Sequence, residues 1–214
     1  MTDRVPATGR FIAVEGADGT GKSTQARLLA ERLGALFTRE PGGTPLGERI
    51  RDLVLDPSGP TLVDRAEALL MAAARAQHVE MVVAPALADG RDVVSDRYVA
   101  SSIAYQGHGR GLGAASVAEM NEFATGGLAP DLVVLIEVAT PVAGSRLGDD
   151  REGELDRIEQ AGHDLQNVVA AAYRVMAAAD PDRWVIVDGG GTIDEVAARV
   201  AVAVDARLDS GRNR

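Results

Sequence analysis

The run Gly16-Ala17-Asp18-Gly19-Thr20-Gly21-Lys22-Ser23 places an ammonium and a hydroxyl side by side, behind three glycines. It satisfies the G-x-x-x-x-G-K-[ST] pattern. It also lies between an apolar strand candidate, Phe11–Glu15, and a helix candidate over roughly Ser23–Leu33. Glycines let backbone N–H groups turn inward toward phosphate oxygens, and the start of a helix adds partial positive charge. In such a loop Gly16, Ala17, Asp18, Gly19, Thr20, Gly21, Lys22, Ser23 and Thr24 wrap a nucleoside triphosphate, taken to be ATP. Lys22 would reach its outer phosphates and Ser23 would ligate Mg²⁺. The lysine is singled out by a count: of 22 basic residues, all but Lys22 are arginine. A site that keeps lysine in this chain needs a compact ammonium on a flexible stem rather than a planar fork. The chemistry indicated is phosphoryl transfer from a magnesium–nucleoside triphosphate to a small acceptor.

Asp96 closes another apolar run, Val93–Asp96. A carboxylate at that strand end could face the cradle and hold magnesium through a water. It could equally cap the next helix, and the two roles are compatible. Some phosphate-loop classes drop out at once. A GTPase needs an Asn-Lys-x-Asp base reader, but the one lysine is already in the cradle. ABC-type ATPases need a signature loop and a strand ending in Asp-Glu, and neither is found.

The elements that must position these groups follow from spacing. Leu36–Arg39 reads as a second strand, and Thr44–Leu55 carries Leu46, Ile50, Leu53 and Val54 at helical intervals. An alanine-rich helix is predicted from about Asp64 toward Pro85, ended by Asp89-Gly90. Val93–Asp96 and Leu132–Val138 read as the third and fourth strands. Between them a helix starts near Tyr98, followed by a glycine-rich loop at Gly107–Gly113 and a helix near Ser116–Thr125. A further helix spans about Leu155–Ala179, with a fifth strand at Trp184–Val187 and a closing helix at Ile193–Leu208. Strands alternating with helices imply a parallel sheet covered on both faces. The length of 214 residues fits one domain, 1–214.

Composition narrows the partners. A net charge of −10 argues against general nucleic-acid binding, which draws its affinity from neutralised phosphates. With no run of 18 or more apolar residues and no charged-then-apolar leader, the expected location is the cytoplasm, off the membrane. The absence of cysteine excludes disulfides and thiolate metal sites. His78, His108 and His163 have no ligand spacing, and His108 is expected to be exposed in a loop.

Four motifs then add up. Thr38-Arg39-Glu40-Pro41-Gly42-Gly43-Thr44, Asp96-Arg97-Tyr98, Ser101-Ser102-Ile103-Ala104-Tyr105-Gln106-Gly107 and Glu154-Leu155-Asp156-Arg157-Ile158-Glu159-Gln160 resemble bacterial thymidylate kinase in order and spacing. The resemblance implies transfer from ATP to dTMP with Mg²⁺, giving dTDP and ADP for dTTP synthesis. It implies an α/β, P-loop NTPase-type three-layer fold: a five-stranded parallel sheet, helices on both faces, a short lid at about 145–157, and a homodimer. Arg51 and Arg97 match the family's acceptor-phosphate arginines, as suits a doubly charged group held bidentately. Arg75 matches an arginine that donates to a thymine carbonyl, and Ser102 and Gln106 match residues reading the base edge. Tyr105 matches a ring that crowds the sugar 2′ position. Asp18 matches an acceptor for the sugar 3′-OH, and Glu40 an acidic group that positions substrate or magnesium.

Two positions depart from the pattern. Met71 stands where bacterial members usually have phenylalanine, so the base loses a stacking ring and keeps a polarisable thioether. A weaker acceptor KM is expected rather than a different base. Gly19 stands where some relatives carry an arginine that neutralises transition-state charge. The lid must then supply it from Arg146, Arg151 or Arg157, with Arg151 the first choice and Arg157 the second. Competing readings are a kinase for another small acceptor and a nucleotide-binding module without transfer. Lys22→Arg should abolish most of kcat despite the conserved charge, because a planar fork cannot replace the point contact. Steady-state turnover near the native value would refute the special status of the lysine.

Overall fold

The computed structural model describes residues 9–138, 156–158 and 162–211. Strand β1 (Phe11–Glu15) is buried at every position, as expected of a strand sandwiched between helix layers. Its side chains alternate. Phe11 and Ala13 face a core shared with Tyr98, Tyr173 and Trp184, while Ile12 and Val14 face one built from Leu29, Val196 and Val200. The sheet adds β2 (Leu36–Arg39), β3 (Val93–Asp96), β4 (Leu132–Glu137) and β5 (Trp184–Asp188). All neighbours are parallel, in the order β2-β3-β1-β4-β5.

The helices follow the expected places with informative differences. Helix α1 (Lys22–Leu33) begins behind Gly21, which has φ 81° and offers no side-chain cap. The first-turn amides of α1 therefore stay open to an anion. Helix α2 (Pro45–Leu55) is capped by Thr44, whose Oγ1 accepts from the Gly47 N–H at 3.0 Å. The long alanine-rich helix is not uniform. It runs as α3 (Asp64–His78), widens into a π-helical segment at Val79–Val83, and ends as α4 (Ala84–Ala88).

After β3 comes α5 (Val99–Ser102), which passes into a second π-helical segment, Ile103–Gly109. Gly107 and His108, expected in a loop, thus belong to a helix; His108 is exposed, as expected. Helices α6 (Ala114–Thr125), α7 (Gly162–Ala179) and α8 (Ile193–Gly211) complete the described order. The helix predicted from about Leu155 starts only at Gly162, because Asp156–Ile158 form a turn tied back to α2 through Arg157 N–H to Leu55 O, 3.0 Å. Charge density around Asp156 conceals that turn from a periodicity argument.

The order β3-β1-β4 places the strand that feeds the glycine loop at the centre. The chain leaves β1 toward β2 on one side and later reaches β4 on the other. In open parallel sheets, ligands settle in the crevice outside the carboxyl ends of the strands where this reversal occurs.

Candidate active site

The loops that leave the carboxyl ends of β1, β2 and β3 open onto one cleft of about 300 Å³. Its walls carry Asp18, Lys22, Ser23, Thr24, Glu40, Arg51, Met71, Arg75, Asp96, Arg97, Ser102, Tyr105 and Gln106. The structure therefore brings together the glycine-loop residues and those matched to the acceptor, although they lie up to 88 positions apart in sequence. Gly16 shows why the loop needs glycine: a Cβ there would sit 2.6 Å from the Ile136 carbonyl, at φ +155°. Thr20 closes the turn by donating its hydroxyl to Ala17 O at 2.9 Å.

Asp18 is the meeting point. Its Oδ1 accepts from Lys22 Nζ at 3.3 Å and from Arg97 Nη2. Its Oδ2 accepts from Tyr105 OH at 2.8 Å and from Gln166 Nε2 at 2.9 Å. Gln166, on α7, also accepts from the Asp18 N–H through Oε1 at 3.3 Å, clasping both ends of the residue. Burial pushes the Asp18 carboxyl upward, but the charges of Arg97 and Lys22 outweigh it and hold the group well below the usual carboxylate range. Lys22 is held below the usual lysine range by burial and then by Arg97, with Asp18 and Asp96 opposing.

Arg97 adopts φ 72°, a left-handed conformation rare for a non-glycine residue and costing of order 1 kcal/mol. Side-chain bonds hold it there. Nη1 donates to Gly16 O at 3.1 Å, Ser101 Oγ at 2.9 Å and Tyr173 OH at 3.2 Å, and Nη2 reaches Tyr105 OH at 3.1 Å. Behind them Glu15, fully buried, accepts from Ser101 Oγ at 2.7 Å, Tyr173 OH at 2.9 Å and the Tyr98 N–H at 2.8 Å. Burial raises the Glu15 carboxyl, and the Ser101 hydroxyl opposes that rise.

Arg75 anchors the other wall. Its Nε donates to Glu40 Oε2 at 2.6 Å, Nη1 to Ser102 Oγ at 2.9 Å and to Asn121 Oδ1, and Nη2 to Tyr98 O at 3.1 Å. A guanidinium has five N–H donors, so one on Nη2 remains for a ligand. Glu40 is buried, 4% exposed, and its second oxygen lies 2.8 Å from His78 Nδ1. His78, fully buried, continues to Thr38 Oγ1 at 2.6 Å. Glu40 thus touches Arg75 and His78 and acts as a support for the wall.

Arg51 donates to Pro41 O at 2.9 Å and is half-buried in the mouth, where burial and Arg39 lower its pKa. Met71 is buried against the cleft, and Ser23 is exposed at its rim. Asp96 Oδ1 is buried with no bond partner among the described residues. Arg157 donates to Asp56 O at 2.6 Å, at the end of α2. Arg146 and Arg151 lie outside the described residues, as does most of the expected lid.

A profile described as thymidylate kinase matches residues 14–200. A thymidylate kinase of Synechococcus sp. (strain JA-3-3Ab) is 46% identical over 92% of this chain and 96% of its own. One from Leifsonia xyli is 46% identical over 94% and 96%, and one from Lactobacillus helveticus 42% over 94% and 97%. The chain belongs to the thymidylate kinase family. A crystal structure of thymidylate kinase from Ehrlichia chaffeensis superposes with a TM-score of 0.75 at 28% identity, covering 92% of this chain and 99% of that one. The reaction is transfer of a phosphoryl group from ATP to dTMP, giving dTDP for dTTP synthesis.

Several residues that support the walls of this cleft escape a motif search: Glu15, Glu67, His78, Asn121, Gln166 and Tyr173. One signal existed. Glu67, Met71, Arg75 and His78 recur at intervals of four, four and three on an alanine-rich helix, so their polar members share a buried face. Asn121, Gln166 and Tyr173 have no such local signature, since only the fold brings them in. The depressed Asp18 carboxyl gives a linkage test. Its folded-state pKa lies below the unfolded value of about 3.9, so its stabilisation is complete above that pH and fades as pH falls through the folded value. Urea unfolding of wild type and Asp18→Asn should show a stability gap that is widest near neutrality and narrows below about pH 4.

Proposed function

We propose that the cleft seats ATP on the glycine loop and dTMP against α3 and the segment after β3, with Asp18 joining the two halves. The observation that carries this reading is the shared carboxylate: Oδ1 bonds the cradle lysine and the acceptor-side arginine at once. Each carboxylate oxygen accepts about two hydrogen bonds, and both Asp18 oxygens already hold two. A triphosphate would draw Lys22 off Oδ1, and the vacated lone pair would accept the sugar 3′-OH of dTMP. Tyr105, pinned through its hydroxyl, would keep its ring against the sugar and exclude a 2′-hydroxyl.

In this reading Arg97 and Arg51 grip the dTMP phosphate, the free Nη2 hydrogen of Arg75 meets a thymine carbonyl, and Ser102 and Gln106 read the base edge. Met71 covers the base, and Glu40 keeps Arg75 in place. The acceptor oxygen is then held in line with the γ-phosphorus, and positioning of this kind supplies most of the acceleration in phosphoryl transfer. Lys22, and Arg151 from a lid over 145–157, balance the charge that spreads over the moving phosphoryl group.

The residues fit a magnesium ion. The buried Asp96 Oδ1 lacks a partner among the described residues, and Ser23 stands at the rim, a sparse donor set of the sort Mg²⁺ accepts while keeping its waters. Ser23 would bind the ion directly and Asp96 through water, and the bound ion would neutralise the β- and γ-phosphate oxygens. The chain is further proposed to act as a single domain and a homodimer in the cytoplasm, without nucleic-acid or membrane partners. Leu69 on α3 and Phe123 on α6, 59% and 91% exposed, leave apolar side chains for a partner to cover. No described helix is long and apolar enough to cross a membrane.

ADP release assayed with dTMP, dUMP, dCMP, AMP and thymidine tests the substrate assignment. dTMP should lead the panel; equal turnover of AMP would defeat it. Arg151→Ala should lower kcat by about 10²-fold or more with little change in dTMP affinity. A larger kcat loss from Arg146→Ala or Arg157→Ala would move the role to that residue.

A further inference from the structure

On α3, one turn before Met71, Glu67 is 3% exposed and has no contact with the phosphate side of the cleft in its bonding pattern. It accepts from Gln106 Nε2 at 2.9 Å through Oε1. Arg110 grips the same carboxylate, Nε to Oε1 at 3.3 Å and Nη2 to Oε2 at 3.1 Å. The two ends of a glutamine amide are nearly identical in shape and opposite in hydrogen-bonding sense. A free amide can turn over and offer either end. Beside Glu67 it cannot, because a carboxylate only accepts and the carbonyl end would leave two acceptors face to face. The amino end is therefore fixed on Glu67, and Oε1 takes the opposite side.

Gln106 is 2% exposed yet lines the cleft, and its Oε1 has no partner among the described residues. Arg75 lines the same cleft and keeps one donor on Nη2, so the cleft presents one fixed acceptor and one donor. Such a pair complements a 4-oxo pyrimidine, whose ring N3 carries a hydrogen beside a carbonyl. A 4-amino pyrimidine has a bare lone pair at N3 beside an amino group, and both contacts become repulsive.

We propose that Glu67 is a specificity-determining positioning residue, which locks the Gln106 amide so that the site accepts a 4-oxo and rejects a 4-amino pyrimidine monophosphate. The proposal rests on the base-reading role given above to Gln106. Glu67 itself does not touch the nucleotide; Arg110 supplies its countercharge and keeps it facing the amide.

The test is the ratio of kcat/KM for dTMP to that for dCMP in wild type, Glu67→Gln, Gln106→Leu and the double variant. Glu67→Gln is isosteric and can still bond Gln106, but in either orientation, so the lock is removed while packing is kept. A thermal melt and calorimetric dTMP binding check that each variant is folded. Glu67→Gln should reduce the ratio about tenfold, the cost of leaving one polar contact free to mismatch, and the change should lie in the two KM values more than in kcat. In the double variant the ratio should fall no further than in Gln106→Leu, since Glu67 acts only through that amide. An unchanged ratio in Glu67→Gln, or losses that add in the double variant, overturns the proposal. If Gln106→Leu alone leaves the ratio intact, the base-reading role fails with it. If Gln106→Leu lowers the ratio and Glu67→Gln does not, only the lock is lost.

Discussion

A buried carboxylate between two cations is the interaction on which the site depends. Asp18 without Lys22 and Arg97 would be driven toward its neutral form by desolvation, and the two cations without Asp18 would repel each other in a poorly solvated cleft. Together they make a cluster with one positive charge in excess, which can be dismantled one partner at a time. In the proposed reading anionic substrates replace Asp18 as the partner of either cation, so the shared carboxylate keeps the arginine and the lysine poised. Glu15, Ser101 and Tyr173 extend this arrangement backward into the core and keep Arg97 in its uncommon backbone conformation.

The sheet explains why these groups converge. β1, β2 and β3 end level with one another, since Val14 is paired with Asp96 and Arg39 with the same residue from the other side. Whatever follows each strand must emerge at one edge. The glycine loop follows β1, Glu40 follows β2, and Arg97 follows β3. The helix layer then supplies walls: α3 brings Glu67, Met71, Arg75 and His78, and α7 brings Gln166 and Tyr173.

Much of this was legible from the amino-acid order. Glycine spacing, a solitary lysine and alternating apolar runs located the loop, the strands and the helices, while the motifs that resemble thymidylate kinase named most of the acceptor-side lining residues. What escaped did so for physical reasons. A π-helical turn differs from an α-helical one by a single residue per turn, which periodicity over short segments cannot resolve, so Gly107–Gly109 looked like a loop. Glu40 was placed at the acceptor side by its motif, but its bonds to Arg75 and His78 were not legible, because those partners lie 35 and 38 positions away. Asn121, Gln166 and Tyr173 are polar residues on otherwise ordinary helices, and nothing local distinguishes them from surface positions. Buried polar contacts across long sequence separations belong to the fold rather than to any window of the chain.

The widened segment Ile103–Gly109 has a consequence for how this site can change over time. Its Arg110 N–H reaches back to Tyr105 O at 2.8 Å, spanning five residues instead of four. Loss of one residue there would restore ordinary winding and shift side chains within the segment by about 100° of helix rotation, with the flanking elements left in place. Tyr105, Gln106 and Arg110 would then be re-aimed as a block while the strands stayed put. Substrate preference in such an architecture can therefore jump through a single-codon deletion, a route unavailable where each contacting residue sits on its own independent loop.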